Sequence, residues 1–298
     1  MPETMRETAL PLAAKAAHYL AERGIENARL EAELMLAALL GVSRLDLYLQ
    51  HDRTIEEAVL ASYRGYVLRR LKREPLQYIL GRAAFRKLEL RVDVRVLIPR
   101  PETEVLVDQV LQWLVTFGSV EDTKDRKPLI LEIGTGSGAI ALSLARESGA
   151  HVVATDVSAG ALDVARDNAM RLGLAGRIDF RCGELWQAVR TGERFDAIVA
   201  NPPYIAQAER DTLAPEVREW EPAQALFAGP DGLSVISPLV TGAMDWLLPG
   251  GLLALEVGAQ QGEAVLRMLK QTSGYTNMRI QRDLADRERV VLAEAHNS

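Results

Sequence analysis

At 298 residues, 48% hydrophobic and 26% charged, the chain has room for two domains and enough apolar side chains to bury a core without a partner. Its single cysteine, Cys182, excludes an internal disulfide framework, and no apolar run approaches the roughly 20 residues of a membrane span. The start of the chain lacks the basic-then-apolar order of a signal peptide, and a net charge of −6 argues against coating nucleic acid through bulk electrostatics, so a cytoplasmic protein is expected.

The first 75 residues read as helices with short connections, and their 11 basic and 11 acidic side chains cancel. Leu12, Ala16, Tyr19 and Leu20 fall on one helical face; Leu30, Leu34, Ala37 and Ala38 repeat the spacing, and Gly24 and Gly41 stand as stops. Thr54 and Glu57 have the reciprocal spacing of a capping box, predicting a helix that runs towards Glu74 and ends at Pro75. Arg64, Arg69, Arg70, Lys72 and Arg73 crowd this helix, as a basic patch or, more simply, as a solvated face. The segment holds no nucleophile–base pair and no glycine-rich loop.

From Lys87 to Val96 the pattern becomes strict alternation, Leu88, Leu90, Val92, Val94 and Val96 against Lys87, Glu89, Arg91, Asp93 and Arg95, which predicts a strand and half of a hairpin. Residues 76–97 therefore read as a β-hairpin linker between a helical domain (1–75) and a larger domain (98–298). Glu102 to Phe117 has a helical pattern. Strands and helices then alternate, with strands expected at Leu129–Ile133, His151–Thr155, Ile178–Arg181, Phe195–Ala200 and Leu252–Val257, and helices after Ala139 and from Ala159 to Leu172. Such βα repetition implies an α/β fold with a parallel sheet covered on both faces. Met278–Arg282 and Arg289–Ala293 have no helix between them and should form an antiparallel hairpin.

Where the first strand of this series meets its helix stands Glu132-Ile133-Gly134-Thr135-Gly136-Ser137-Gly138. Glycines there permit positive φ and let a ligand approach bare backbone. Asp156 ends the next strand, 22 residues after Gly134, where a carboxylate can accept from both hydroxyls of a ribose. Gly134, Gly136 and Ala139 also satisfy the dinucleotide spacing, so a nicotinamide cofactor stays open at this point. The third glycine and the in-strand Glu132 favour S-adenosylmethionine (SAM), which presents an amino acid to the loop instead of a pyrophosphate.

Asn201-Pro202-Pro203-Tyr204 follows the strand ending at Ala200, at the carboxyl edge where open α/β sheets bind ligands. The Asn201 side-chain oxygen and the Pro202 carbonyl can each accept one N–H, and Tyr204 offers a flat face. These parts suit a planar NH2 group, as in an amide or an exocyclic base amine, whose nitrogen is oriented towards a sulfonium methyl. His18, His51, His151 and His296 lie in unrelated contexts, so no metal site is expected.

With these segments, together with Glu74-Pro75-Leu76-Gln77-Tyr78-Ile79-Leu80-Gly81, Ile98-Pro99-Arg100-Pro101-Glu102-Thr103-Glu104, Glu221-Pro222 and Asp283-Leu284-Ala285, the chain resembles the bacterial peptide chain release factor glutamine N5-methyltransferases, the PrmC or HemK family. The resemblance implies a helical domain that recognises the release factor, a β-hairpin linker and a seven-stranded, Rossmann-like SAM-dependent methyltransferase domain. It implies methyl transfer to the glutamine amide in the Gly-Gly-Gln motif of class 1 release factors, with S-adenosylhomocysteine as product. Carried over by motif, Gly134, Thr135, Gly136, Ser137, Gly138 and Asp156 hold the methionine and ribose parts of SAM; Asn201, Pro202, Pro203 and Tyr204 hold the glutamine. Catalysis would then fall to Asn201, Pro202 and Tyr204, with Asn201 also beside the cofactor. Glu184 falls near the adenine, flanked by Leu185 and Trp186. Three positions depart from the family pattern: Leu185 separates Glu184 from the aromatic, Arg86-Lys87 replaces an aromatic and a glycine, and Asp286 stands where glycine is common.

The alternative enzyme is a DNA or RNA methyltransferase acting on adenine N6 or guanine N2, supported by the basic stretch from Arg64 to Arg73 and opposed by the net charge. A module that binds SAM without chemistry is the other alternative, and Asn201 opposes it. The expected protein is a monomer with class 1 release factors as partners, no direct nucleic-acid binding and no membrane attachment.

Overall fold

The computed structural model describes residues 7–117 and 126–296, and the chain divides into two compact units. The first comprises Met1–Gly81 with Ala214–Trp220, the second Arg82–Leu213 with Glu221–Ser298.

The first unit is helical: α1 (Ala9–Ala21), α2 (Ala28–Leu40), α3 (Arg44–Leu49), α4 (Glu57–Leu71), α5 (Leu76–Leu80) and, from much later in the chain, α9 (Pro215–Trp220). Leu12, Leu20, Met35, Leu36, Leu47, Tyr63 and Ile79 build its core, and the Tyr63 hydroxyl donates to the Ala32 carbonyl at 3.0 Å. Three expectations change here. Tyr19 and Leu30, assigned to buried faces, are each 41% exposed. Helix α2 is apolar nearly all round, so spacing alone cannot choose its buried stripe; Ala32, Met35 and Leu36 point inward, along with Glu33, whose charge is met by Arg29, Arg44 and Tyr48. Thr54 caps nothing: it bridges Thr8 while the Ile55 amide donates to Glu7 at 2.9 Å, holding this segment extended until α4 starts at Glu57. The capping box of this unit is Ser43–Asp46, opening α3.

Residues 76–80, within the stretch read as a hairpin linker, form α5; Gly81 closes it at φ 69°. The hairpin proper is β1 (Arg82–Phe85) paired antiparallel with β2 (Leu88–Arg91). The alternating strand predicted to Val96 stops at Arg91 because β1 has no further residues to pair with; Val94 is 53% exposed and the Asp93 carbonyl accepts from Val96 in a turn. At the hairpin tip Arg86 has φ 50°, and its guanidinium reaches Glu147 at 2.7 Å and Asp108 at 2.6 Å. Those carboxylates belong to the helices beneath, α6 (Thr103–Phe117) and α7 (Ala139–Ser148).

The sheet of the second unit has seven strands: β3 (Leu129–Ile133), β4 (His151–Asp156), β5 (Ile178–Cys182), β6 (Phe195–Ala200), β7 (Leu247–Glu256), β8 (Tyr275–Arg282) and β9 (Glu288–Ala295). Their order is β5-β4-β3-β6-β7-β9-β8; the first five run parallel, and β9 is antiparallel to both neighbours. The central strands β3, β6 and β7 are buried on both faces over most of their length and are largely apolar, whereas the edge strands β5 and β8 carry polar and exposed residues. Ile130, Val152 and Ala197 face α6, α7 and α8 (Ala159–Arg171), while Leu131, Val153 and Ile198 face α10 (Ile236–Gly242) and α11 (Gly262–Gln271). The chain winds one way from β3 to β5 and the other from β6 to β7, which leaves a crevice at the carboxyl ends of β3 and β6. Among the described residues no helix is long and apolar enough to cross a membrane.

Candidate active site

The crevice opens into a cavity of about 400 Å³, lined by Glu132, Gly134 to Ser137, Asp156, Glu184, Leu185, Asn201, Pro202 and Pro203 from the sheet edge, and by Pro99, Arg100, Thr103, Pro222 and Phe227 across from it. One cavity thus gathers side chains that the sequence spreads over more than a hundred positions.

Gly134, Gly136 and Gly138 all have positive φ, at 79°, 55° and 85°. Their surroundings differ. A Cβ at Gly134 or Gly136 would meet nothing within 4 Å, so these two present open backbone; at Gly138 it would meet Leu142 Cδ1 at 2.9 Å and Ala165 Cβ at 3.3 Å. Gly138 lies behind the cavity wall and packs loop to helix. The Thr155 carbonyl accepts from both Gly134 and Thr135 at 2.9 Å, and buried Asn168 donates to the Ser137 and Arg91 carbonyls at 3.0 Å while accepting from the Arg91 amide. Asn168 ties hairpin and glycine loop together. Lying inside an ordinary helical pattern, it has no sequence signal of its own.

The Asp156 carboxylate accepts from the Gly136 amide and the Ser158 amide, each at 2.8 Å, one to each oxygen. Each oxygen keeps a further lone pair for a ligand hydroxyl. Burial pushes this carboxyl upward, and the backbone donors oppose the shift. Glu132 is fully buried at the wall; Thr135 and Ala141 donate to one of its oxygens, the other has no partner, and burial pushes its pKa up to about 7.

Glu184 is exposed at the cavity rim, and Leu185, at φ 47°, lines the wall. Trp186 does not: its indole donates to the Pro238 carbonyl at 3.2 Å and stacks on Trp246 with centroids 6.3 Å apart. The departure at Leu185 therefore puts an aliphatic side chain where an aromatic was expected. Each of the three departures includes a non-glycine residue on left-handed backbone: Arg86, Leu185 and Asp286.

Asn201 leaves β6 at the cavity floor, and its Nδ2 donates to Thr103 Oγ1 at 3.0 Å, leaving Oδ1 without a donor among the described residues. Tyr204 turns away from the cavity, with its hydroxyl 3.4 Å from Glu256 Oε1 and its carbonyl accepting from Gln261 Nε2 at 2.9 Å. Burial and the nearby Glu256 push the phenol up to about 12. Gly232, at φ 76°, packs so closely on the Tyr204 carbonyl that any side chain would displace it. The flat face expected of Tyr204 is therefore not part of the wall. Opposite, Glu221 accepts from the Ile98 amide at 3.1 Å and from Arg100 at 2.5 Å, which fixes the turn that starts α6.

A seven-stranded, mostly parallel sheet with one antiparallel strand, β9, near its edge, a reversed-order crevice, a glycine loop and a carboxylate at adjacent strand ends is the arrangement of the Rossmann-like methyltransferase class. Solved structures agree on the fold: the N-terminal domain of human METTL16 in complex with SAH aligns with a TM-score of 0.52 at 18% identity, over 71% of this chain and 77% of that one. A Thermus thermophilus 16S rRNA methyltransferase in complex with AdoMet and guanosine aligns at 0.52 and 19% identity, over 72% of this chain and 50% of that one. Residues 12–81 match the PrmC N-terminal domain family and residues 130–220 a methyltransferase domain family. The release factor glutamine methyltransferase of Geobacter sulfurreducens is 45% identical over 85% of each chain, and that of Chlorobaculum tepidum 41% identical over 95% of this chain and 96% of its own. The chain belongs to the release factor glutamine methyltransferase family. It is a methyltransferase, and the nicotinamide reading left open by the glycine spacing falls away.

Proposed function

We propose that this protein transfers a methyl group from SAM to the side-chain amide nitrogen, N5, of the glutamine in the Gly-Gly-Gln motif of class 1 release factors. The observation that carries this reading is the Asn201 side chain, with its N–H end tied to Thr103 and its Oδ1 left for a substrate N–H at the cavity floor. The residues present fit SAM: open backbone at Gly134 and Gly136 would be filled by any Cβ, Asp156 retains accepting capacity for ribose hydroxyls, and Glu132, one oxygen of which lacks a partner among the described residues, belongs to the same cavity lining and suits a cationic ligand. SAM bound there supplies an electrophilic sulfonium methyl. Gly134 to Ser137 and Asp156 hold and orient it, and Glu184 and Leu185 border the adenine end. Asn201 Oδ1 and the Pro202 carbonyl would accept the two hydrogens of the glutamine amide, turning the nitrogen lone pair towards the methyl; as the N–C bond forms, the S–C bond breaks to leave a neutral thioether, and the methylated nitrogen then releases one of its two hydrogens as a proton. Orientation of this kind contributes on the order of 7–11 kcal/mol. Pro203 stiffens the turn and Tyr204 braces it from behind.

We assign release-factor recognition to the helical unit. Its basic stretch does not favour a nucleic-acid substrate, because Arg69 pairs with Glu74, Arg70 with Glu31 and Glu216, and Arg73 with Glu216. Purified release factors incubated with enzyme and labelled SAM should gain one methyl on the Gly-Gly-Gln peptide by mass spectrometry. Label recovered in nucleic acid instead would overturn the assignment. In single-turnover transfer at saturating SAM, Asn201→Ala should be slower by about a hundredfold or more while SAM affinity changes little. Wild-type rates in that variant would remove the two-acceptor grip.

A further inference from the structure

The two ends of an asparagine amide have nearly the same shape and opposite hydrogen-bonding character. A grip on a substrate NH2 group works only if Oδ1 faces the substrate; rotated by half a turn, Asn201 would point its own N–H groups at the N–H groups it must hold. Something has to decide between these orientations. The group in contact with the far end of the amide is the Thr103 hydroxyl, 3.0 Å from Nδ2.

A hydroxyl can donate one hydrogen and accept others, so its direction depends on its other neighbour. Behind Thr103 stands the carboxyl of Glu256, 1% exposed, with its Oε2 lacking a hydrogen-bond partner among the described residues. Whether ionised or neutral, a carboxyl keeps an oxygen that accepts. A hydroxyl hydrogen turned to that unpartnered oxygen leaves Thr103 to meet Asn201 as an acceptor, the role it has in the 3.0 Å bond from Nδ2.

Thr103 is well placed to impose that choice. It is 4% exposed and opens α6, its amide donating to the Arg100 carbonyl at 3.1 Å. The preceding turn is anchored at Ile98 and Arg100 by Glu221. A β-branched side chain on a fixed helix start has few rotamers, so its oxygen is held in place before substrate arrives.

We propose that Thr103 is a positioning residue for methyl transfer, its hydroxyl accepting from Asn201 Nδ2 and donating to Glu256 so that Asn201 Oδ1 is held towards the substrate amide. This rests on the reading of Asn201 as the acceptor of a substrate hydrogen. Sequence 98–104 thus contributes a functional group that its turn-forming prolines conceal.

The test compares Thr103→Val, which keeps the shape and removes the hydroxyl, with Thr103→Ser, which keeps the hydroxyl. Methyl transfer to whole release factor, SAM affinity by calorimetry and thermal midpoint are measured for each. For Thr103→Val the expected result is a fall in kcat of about tenfold or more, with KM for release factor and SAM affinity within about twofold of wild type. Thr103→Ser should recover most of the rate. The double variant Asn201→Ala/Thr103→Val should be no slower than Asn201→Ala alone, since Thr103 acts through Asn201. Wild-type kcat in Thr103→Val, or Thr103→Ser as slow as Thr103→Val, overturns the proposal. Should Thr103→Val fold poorly, Thr103→Ala against Thr103→Ser at reduced temperature supplies the same contrast. Full activity in Asn201→Ala would instead remove the underlying grip, whereas a slow Asn201→Ala beside a fast Thr103→Val removes only the role of Thr103.

Discussion

Glu256 combines two roles that pull against each other: it receives the Tyr204 hydroxyl behind the Asn201 turn, and it does so from a position with 1% exposure and one oxygen lacking a partner among the described residues. Burial pushes its pKa up to about 7, against roughly 4.3 for an unperturbed glutamate. Between those values the folded chain holds a proton that the unfolded chain has released. The contribution of this carboxyl to stability is therefore full below about pH 4, and is lost as pH rises through about 7, by up to about 4 kcal/mol. Glu256→Gln stays neutral throughout. Its thermal midpoint should gain on that of wild type as the pH is raised from 5 to 8, with the equally buried Glu132 present in both proteins and cancelling from the comparison. A difference in midpoint that does not change with pH would show that Glu256 keeps an ordinary pKa in the folded chain.

The glycine loop and the helix after it work as one element because their joint has no room for a side chain. Gly138, at φ 85°, stands just before α7, and a Cβ there would press on Leu142 and Ala165. Gly138→Ala should lower unfolding free energy by about 2–4 kcal/mol, from left-handed backbone cost together with overpacking, measured by urea denaturation. Gly136→Ala meets no neighbour within 4 Å, so its stability loss should be the smaller of the two. Equal losses would mean that backbone strain alone sets the cost. The G-x-G-x-G spacing was plain in the sequence, but it could not distinguish the two glycines that present backbone to the cavity from the one that packs a helix, because that depends on which neighbours α7 and α8 bring close.

Across the whole molecule, the cavity draws every one of its residues from the second unit, and the helical unit contributes none. Affinity for the protein substrate and chemistry on the amide are accordingly expected to separate. Replacing the exposed apolar residues Leu45, Leu49 and Leu68, which are 66%, 71% and 57% exposed, with serine should raise KM for whole release factor by about tenfold or more while leaving SAM affinity and turnover of a short Gly-Gly-Gln peptide unchanged. An unaltered KM would move recognition to another surface.

Local pattern determined much of this protein. Short apolar runs alternating with helical spacing located the seven strands to within a few residues at most ends, and Gly134 to Gly138, Asp156 and Asn201 to Tyr204 stood out because their chemistry depends on contiguous residues and on short, fixed distances along the chain. Tertiary structure decided what contiguity cannot: that Glu33 is buried with a counter-charge while Leu30 is not, that Thr54 pairs with Thr8 in place of capping α4, that Trp186 packs on Trp246 and yields the wall to Leu185, and that Thr103 meets Asn201 across 98 positions of sequence. In each case the outcome was set by a partner far away in the chain, and a hydrogen bond or a buried face is a property of the pair.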